Sequence, residues 1–241
     1  MKEKLFLDQF IYLAEKMDIS LTEEQGMKFY EYMNLLIEWN QKMNLTAIVE
    51  PEDIILKHFI DSITVNKYIE SGDNNAIDIG TGAGFPGIPI KIIYPNMDIT
   101  LLDSLQKRIV FLEEVCRQLN LEKINCIHAR AEEMSIKVEY REQYSIAVSR
   151  AVARLNVLVE YMIPFVKKGG KCICMKGPNL KEELEEAKKA IEVLGGEIEQ
   201  VENIRLPKSD IERNIIVIRK VKNTPNQYPR KNGQVSKQPI L

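Results

Sequence analysis

Through the first seventy positions the apolar residues recur at helical spacing, and then the period changes. Phe6, Phe10, Leu13 and Met17 fall alternately four and three apart, which marks one helix face. Thr22-Glu-Glu-Gln25 has the spacing of a capping box, with the threonine accepting from the backbone and the glutamine reaching back. The helix behind it is expected to carry Met27, Tyr30, Met33 and Ile37 on one face before it reaches Trp39-Asn40. Pro51 stands in the first turn of a further helix that carries Ile54, Ile55, His58, Phe59 and Ser62. Asn40 and Asn44 flank the break between these helices, where side-chain amides satisfy loop backbone groups. His58 reads as a packed or capping histidine, because it lies on the apolar face.

After residue 72 short apolar runs alternate with amphipathic segments. Strands are predicted at 75–79, 98–103, 124–128, 144–149 and 171–176, with helices at 86–94, 105–119, 154–166 and 180–194. That alternation, with near-continuous apolar strands, means a parallel sheet covered on both faces. Two last strands, 197–205 and 214–221, have only the turn-like Leu206-Pro-Lys-Ser-Asp210 between them and should pair as an antiparallel hairpin at one end of the sheet. A plain nucleotide-binding Rossmann unit would not end in that hairpin. The expected organisation is a helical cap over 1–70, a sheet domain over 71–222 and a tail over 223–241, rich in Asn, Gln, Pro and Lys and ordered only if something holds it.

Charge adds an asymmetry. From Arg213 to Leu241 there are seven basic residues and no acidic ones, which leaves 26 basic against 35 acidic residues in the rest of the chain. An acidic body with a basic end suggests an anionic partner met at one place, or else a solvated tail. The four cysteines show no Cys-x-x-Cys spacing, three of them sit in apolar runs that predict burial, and the two histidines offer no zinc spacing. Charges interrupt every apolar stretch, and Asp8 breaks the start of the chain before a signal-peptide core could form. A cytoplasmic protein without membrane or metal, and a monomer, is expected.

The candidate chemistry lies in Ala76-Ile-Asp-Ile-Gly-Thr-Gly-Ala-Gly-Phe-Pro-Gly-Ile-Pro89, where a strand runs straight into a glycine-rich turn and a helix. Gly82-x-Gly84-x-x-Gly87 formally matches the dinucleotide fingerprint, but its first glycine should follow the strand at once and comes two residues late. From the strand end the pattern is Asp78-x-Gly80-x-Gly82-x-Gly84, an acid introducing three alternating glycines. Asp78 would repel a pyrophosphate, whereas a carboxylate favours the ammonium and sulfonium of S-adenosylmethionine. The glycines let backbone approach a ligand. Asp103, ending the next strand, can accept from both ribose hydroxyls, a device that dinucleotide enzymes share. The third strand leads to Ala131 and Glu132, placed to face an adenine; alternatively Glu132 is a solvated first-turn acid.

The fourth strand ends in Val148-Ser-Arg-Ala-Val152. It carries neither an Asn-Pro-Pro-Tyr turn, which supports amine methylation, nor a Pro-Cys or Thr-Cys pair, which would supply a thiolate for attack on a pyrimidine carbon. An acceptor with its own lone pair, such as guanine N7, needs only alignment. DIGTGAGFPGIPI (78–90), LLDSLQKRIVFL (101–112), ARAEE (129–133), SRAVA (149–153), KG (176–177) and YPRKNGQVSKQPI (228–240) together resemble the small-subunit ribosomal RNA methyltransferase G family. So do Trp39-Asn-Gln-Lys-Met-Asn-Leu-Thr46 and His58-Phe-Ile-Asp-Ser62, and the resemblance covers almost the whole chain.

The resemblance implies methyl transfer from S-adenosylmethionine to guanine N7 in bacterial 16S rRNA, free or in the small ribosomal subunit. It also implies an α/β class I methyltransferase fold, with a mostly parallel seven-stranded sheet, a C-terminal antiparallel hairpin and a helical N-terminal cap. Gly80, Phe85, Ala131, Glu132 and Arg150 would line the cofactor pocket by resemblance, joined by Asp78, Gly82, Gly84 and Asp103 on the chemistry above. Arg154 and Lys176, where strands four and five empty, and Arg230 and Lys231, beside Tyr228, are candidate RNA contacts. Other readings are a methyltransferase for another RNA or a small molecule, and a non-enzymatic RNA-binding factor on a cofactor-binding fold.

Overall fold

The computed structural model describes residues 1–150, 152–231 and 233–241. A helical leader comes first: α1 (Glu3–Glu15), α2 (Glu23–Met43), α3 (Pro51–Ile54), a π-helical stretch Ile55–Ile60, and α4 (Asp61–Ile63). The sheet domain then runs β1 (Asn75–Ile79), α5 (Gly87–Ile93), β2 (Asp98–Asp103), α6 (Gln106–Gln118), β3 (Ile124–His128) and α7 (Ala131–Met134). It continues with β4 (Tyr144–Arg150), α8 (Leu155–Met162), β5 (Val166–Lys176), α9 (Lys181–Val193), β6 (Gly196–Arg205) and β7 (Glu212–Lys220). A last short helix, α10 (Gln234–Lys237), lies in the tail.

The sheet has the order β3-β2-β1-β4-β5-β7-β6. β1 to β5 pair in parallel, and β7 inserts antiparallel between β5 and β6. Each of the seven strands overlaps a predicted one, and the terminal hairpin closes one edge. Strand alternation sends Ala76, Leu101, Ile146 and Val148 towards the leader, and Ile77, Leu102, Ala147 and Cys172 towards α8 and α9. The leader packs its own aromatic knot, with Phe10 against Phe29 at 4.6 Å and Phe29 against Phe59 at 5.1 Å between centroids, onto the first of these faces.

Three local expectations are corrected, and the condition set for an ordered tail is met. α2 buries Phe29, Tyr32, Met33 and Leu36, so the expected face is turned by one position, with Met27, Tyr30 and Ile37 left at its half-buried flank. A broad apolar arc fits either register on spacing alone. The helix from Pro51 widens to a π turn over Ile55–Ile60, where the carbonyls of Lys57 and His58 turn to a largely buried guanidinium. The helix after β4 stops at Met162, because Pro164 follows, and β5 starts five residues earlier than expected. The tail is held: Arg141 donates to the carbonyls of Thr224 and Tyr228, and Thr224 N–H donates to Glu142.

Candidate active site

β1 lies between β2 and β4, so the strand order reverses at the β1–β4 junction and a crevice opens there, beyond the carboxyl ends of the strands. The glycine loop enters it. The N–H groups of Gly80 and Thr81 both donate to Leu102 O (2.8 and 3.1 Å), and that of Gly82 donates to Asp103 Oδ2 (2.9 Å). Gly80 has a φ of +67°, and a Cβ there would stand 2.6 Å from Val152 Cγ2. Both the conformation and the space therefore require glycine. At Gly87 a Cβ would lie 2.3 Å from Leu101 Cδ2 and 2.8 Å from Asp78 Oδ2, so that glycine serves close contact of α5 with the sheet. The dinucleotide register rests on it by coincidence.

A cleft of about 200 Å³ stands above the strand ends, walled by Gly80, Asp103, Ala131, Glu132, Val152 and Tyr161. Four of the residues expected at a cofactor meet here. Asp103 is anchored by the N–H groups of Gly82 and Leu105 and by an ion pair with Arg108 at 3.1 Å. Tyr161 and Arg108 escape sequence reading. A tyrosine in α8 looks like core filler, and an arginine in the first turn of α6 looks like a solvated cation.

The other expected residues sit on the leader side, which strand parity explains: Asp78 and Arg150 share the face of Ala76 and Val148. Asp78 is fully buried. Its Oδ2 accepts from Thr81 Oγ1 (2.6 Å) and Gly87 N–H (2.8 Å), while its Oδ1 has no partner among the described residues. Burial pushes its carboxyl up to about 7, against the pull of those two hydrogen bonds and of Arg150. Gly82 is half-buried at the turn of the loop, and a Cβ at Gly84 would press on the Tyr32 hydroxyl at 2.5 Å. Tyr32 in turn donates to Ala83 O.

Phe85 is buried beneath the leader, stacked on Tyr32 at 5.3 Å and on His58 at 4.3 Å. Arg150 donates to Lys57 O, His58 O and Asp61 Oδ2 (3.2, 3.4 and 3.3 Å) and to His58 Nδ1 (3.0 Å). Arg213 shares Asp61 Oδ2 at 3.2 Å. Because a guanidinium only donates, His58 Nδ1 must accept, and Nε2 carries the proton towards Thr46 Oγ1 at 2.9 Å. Burial and then Arg150 hold the imidazole down to about 3. Asn40 accepts from the N–H groups of Leu45 and Thr46 and donates to Thr46 O, as a loop-satisfying residue should.

The four expected RNA contacts are dispersed. Arg154 pairs with Glu186 and Lys176 with Glu183, each at 2.7 Å, beside a separate recess past Val152. Lys231 is exposed. Arg230 is committed to the body: its backbone N–H, Nε and Nη2 reach the fully buried Glu160 at 2.7–3.2 Å, and its Nη1 donates to Gln238 O. The geometry makes it a tether for the tail rather than a free cation.

The fold is found in known proteins. The structure resembles precorrin-6y C5,15-methyltransferase from Geobacter metallireducens at a TM-score of 0.52 and 16% identity, over 66% of this chain and 87% of that one. It also resembles M. jannaschii TYW2 in complex with AdoMet at 0.51 and 14%, over 67% and 77%. At these identities the likeness establishes the class I methyltransferase fold. In sequence the chain is 55% identical to ribosomal RNA small subunit methyltransferase G of Acetivibrio thermocellus, over 94% of this chain and 93% of the relative. It is 53% identical to the Alkaliphilus oremlandii protein of that name, over 94% and 95%, and 46% identical to that of Clostridium novyi, over 99% of each. The model of the rRNA small subunit methyltransferase G family (GidB) matches residues 25–216, and the chain belongs to that family.

Proposed function

We propose that this chain transfers a methyl group from S-adenosylmethionine to N7 of one guanosine in bacterial 16S rRNA, in the cytoplasm. The observation that carries the cofactor assignment is the Oδ1 of Asp78, unpartnered among the described residues, a buried acceptor on a carboxylate beside the glycine loop. Such an atom suits a cationic ligand and opposes a phosphate. Asp103, Gly80, Ala131, Glu132 and Tyr161 would hold the nucleoside end in the cleft, with Asp103 exchanging Arg108 for hydroxyl donors. When bound, S-adenosylmethionine supplies a methyl group made electrophilic by its sulfonium.

The exit of β4 supports this choice of acceptor. Ser149 donates to Ile79 O, Arg150 is spent on the leader, and both ring nitrogens of His58 are engaged. Among the described residues there, none is a base free to take a proton. That favours an acceptor with its own lone pair, and guanine N7 is one. The chain would then contribute alignment and exclusion of water. Lys231 and Arg154 are exposed cations suited to phosphates, since the Arg154–Glu186 pair is a surface one that RNA can replace. Lys176, closer to the β5 exit, is a second-rank contact because Ala153 O and Glu183 hold it.

The test is incubation with labelled methyl donor and either naked 16S rRNA or small subunits, followed by borohydride–aniline scission, which cuts at N7-methylguanosine. Label in the RNA with scission at one guanosine supports the proposal. Label without scission overturns the N7 assignment, and donor binding with no label in either RNA overturns the substrate.

A further inference from the structure

The sequence gives no reason to pair Cys116 with Cys126, which are ten residues apart on a helix and the strand after it. The fold places their sulfurs 3.9 Å from each other, one on α6 and one on the edge strand β3. Both are half-buried, unlike the enclosed Cys172 and Cys174. They border a surface recess of about 610 Å³ that Glu113, Asn125, Tyr140 and Tyr144 also line. We propose that Cys116 and Cys126 form a thiol–disulfide exchange site that takes low-molecular-weight disulfides in this recess.

Two reactive sulfurs in reach of each other and of one solvent-open recess are what such a site needs. Closing them to a bond requires a shift of about 2 Å. Either thiol can donate across this contact; with Cys126 as donor, the hydrogen bond holds the Cys116 thiol below its ordinary value, and Cys116 is then the attacking group. The Cys116 thiolate attacks one sulfur of the small disulfide and expels the first thiol, leaving a mixed disulfide. Cys126 then attacks the Cys116 sulfur and expels the second. Two electrons pass from the protein dithiol to the small disulfide, and the two thiol protons end on the two released thiols. The carboxylate of Glu113 at the rim favours a disulfide that carries ammonium groups, such as cystamine. The new bond would clip α6, which follows Asp103, to β3, which precedes Ala129–Glu132, and so join the two elements that lead into the cleft walls.

The test is peptide mapping of the native protein after incubation with cystamine and acid quenching. The expected result is a Cys116–Cys126 disulfide, seen as the loss of two hydrogens and reversed by dithiothreitol. Modification there should be at least about tenfold faster than at Cys172 or Cys174. In the Cys126→Ser variant the reaction should stop at a cysteamine adduct on Cys116. Wild-type protein that accumulates adducts on single cysteines without the internal bond overturns the proposal. So does reaction at Cys116 and Cys126 no faster than at the enclosed pair. The wild-type readouts stand even if the serine variant does not fold.

Discussion

The imidazole of His58 lies flat on the ring of Phe85, with centroids 4.3 Å apart and planes within 9°. The guanidinium of Arg150 also stands over that ring, 5.0 Å from its centroid. A neutral histidine therefore stands at the meeting of the leader and the glycine loop, beside Tyr32. Nitrogen NMR should find His58 as a single Nε2–H tautomer that does not titrate between about pH 5 and 8. With a folded value of about 3, the native state takes up no proton where an unfolded histidine does. Stability should thus fall as pH drops from about 6.5 towards 3. Titration of His58 near pH 6 would show that the leader lifts off the loop.

Asp78 has the opposite linkage. Its folded carboxyl, at about 7, holds a proton where the unfolded one has lost it. Wild-type stability should therefore decline relative to the Asp78→Asn variant as pH rises from about 4 to 7, and the difference should then level off. A cationic ligand reverses the preference, so affinity for S-adenosylmethionine should climb through pH 7 in the wild type. Asp78→Asn should weaken it by roughly 10–100-fold, the weight of a charge-assisted hydrogen bond, and flatten the pH dependence. Calorimetric titration at several pH values, beside thermal melts, separates the two effects.

Arg150 is expected to act on stability before ligand binding. Arg150→Ala leaves Asp61 with Arg213 alone and the Lys57 and His58 carbonyls without that donor. Breaking such a buried set should lower unfolding free energy by about 3–5 kcal/mol in urea. Unchanged stability with lost cofactor affinity would instead restore Arg150 to the pocket.

Two neighbours in the tail should separate cleanly. Arg230→Ala strands the carboxylate of Glu160 in the interior and should destabilise the protein by about 3–5 kcal/mol. Lys231→Ala should stay within about 0.5 kcal/mol of wild type and act, if it acts, on RNA affinity and its salt dependence. Denaturant melts and filter binding at two salt concentrations distinguish them.

The fold was legible because its signals are local. The alternation of strands with helices, the capping box at Thr22 and the helix-free turn at 206–210 each depend on neighbours in sequence. The site was legible in part. Gly80, Asp103, Ala131 and Glu132 reach the cleft because each follows directly on a strand's carboxyl end. Phe85 and Arg150 lie elsewhere because the leader covers that face, and nothing within either segment announces the covering. Strand parity from Ala76 to Asp78 and from Val148 to Arg150 would have put both ionisable groups on the leader side. The pairing of Arg230 was hidden for a related reason: its partner Glu160 is seventy residues away and reads as an ordinary helix acid.

The segment Gly80–Gly87 is held from two directions, by Asp103 at Gly82 and by Tyr32 at Ala83. A stretch with four glycines has unusually many conformations to lose. Here that loss of entropy is charged to folding, so ligand capture begins from a loop already narrowed to one shape. Loosening the leader should therefore weaken binding through disorder in a loop whose own residues are unchanged.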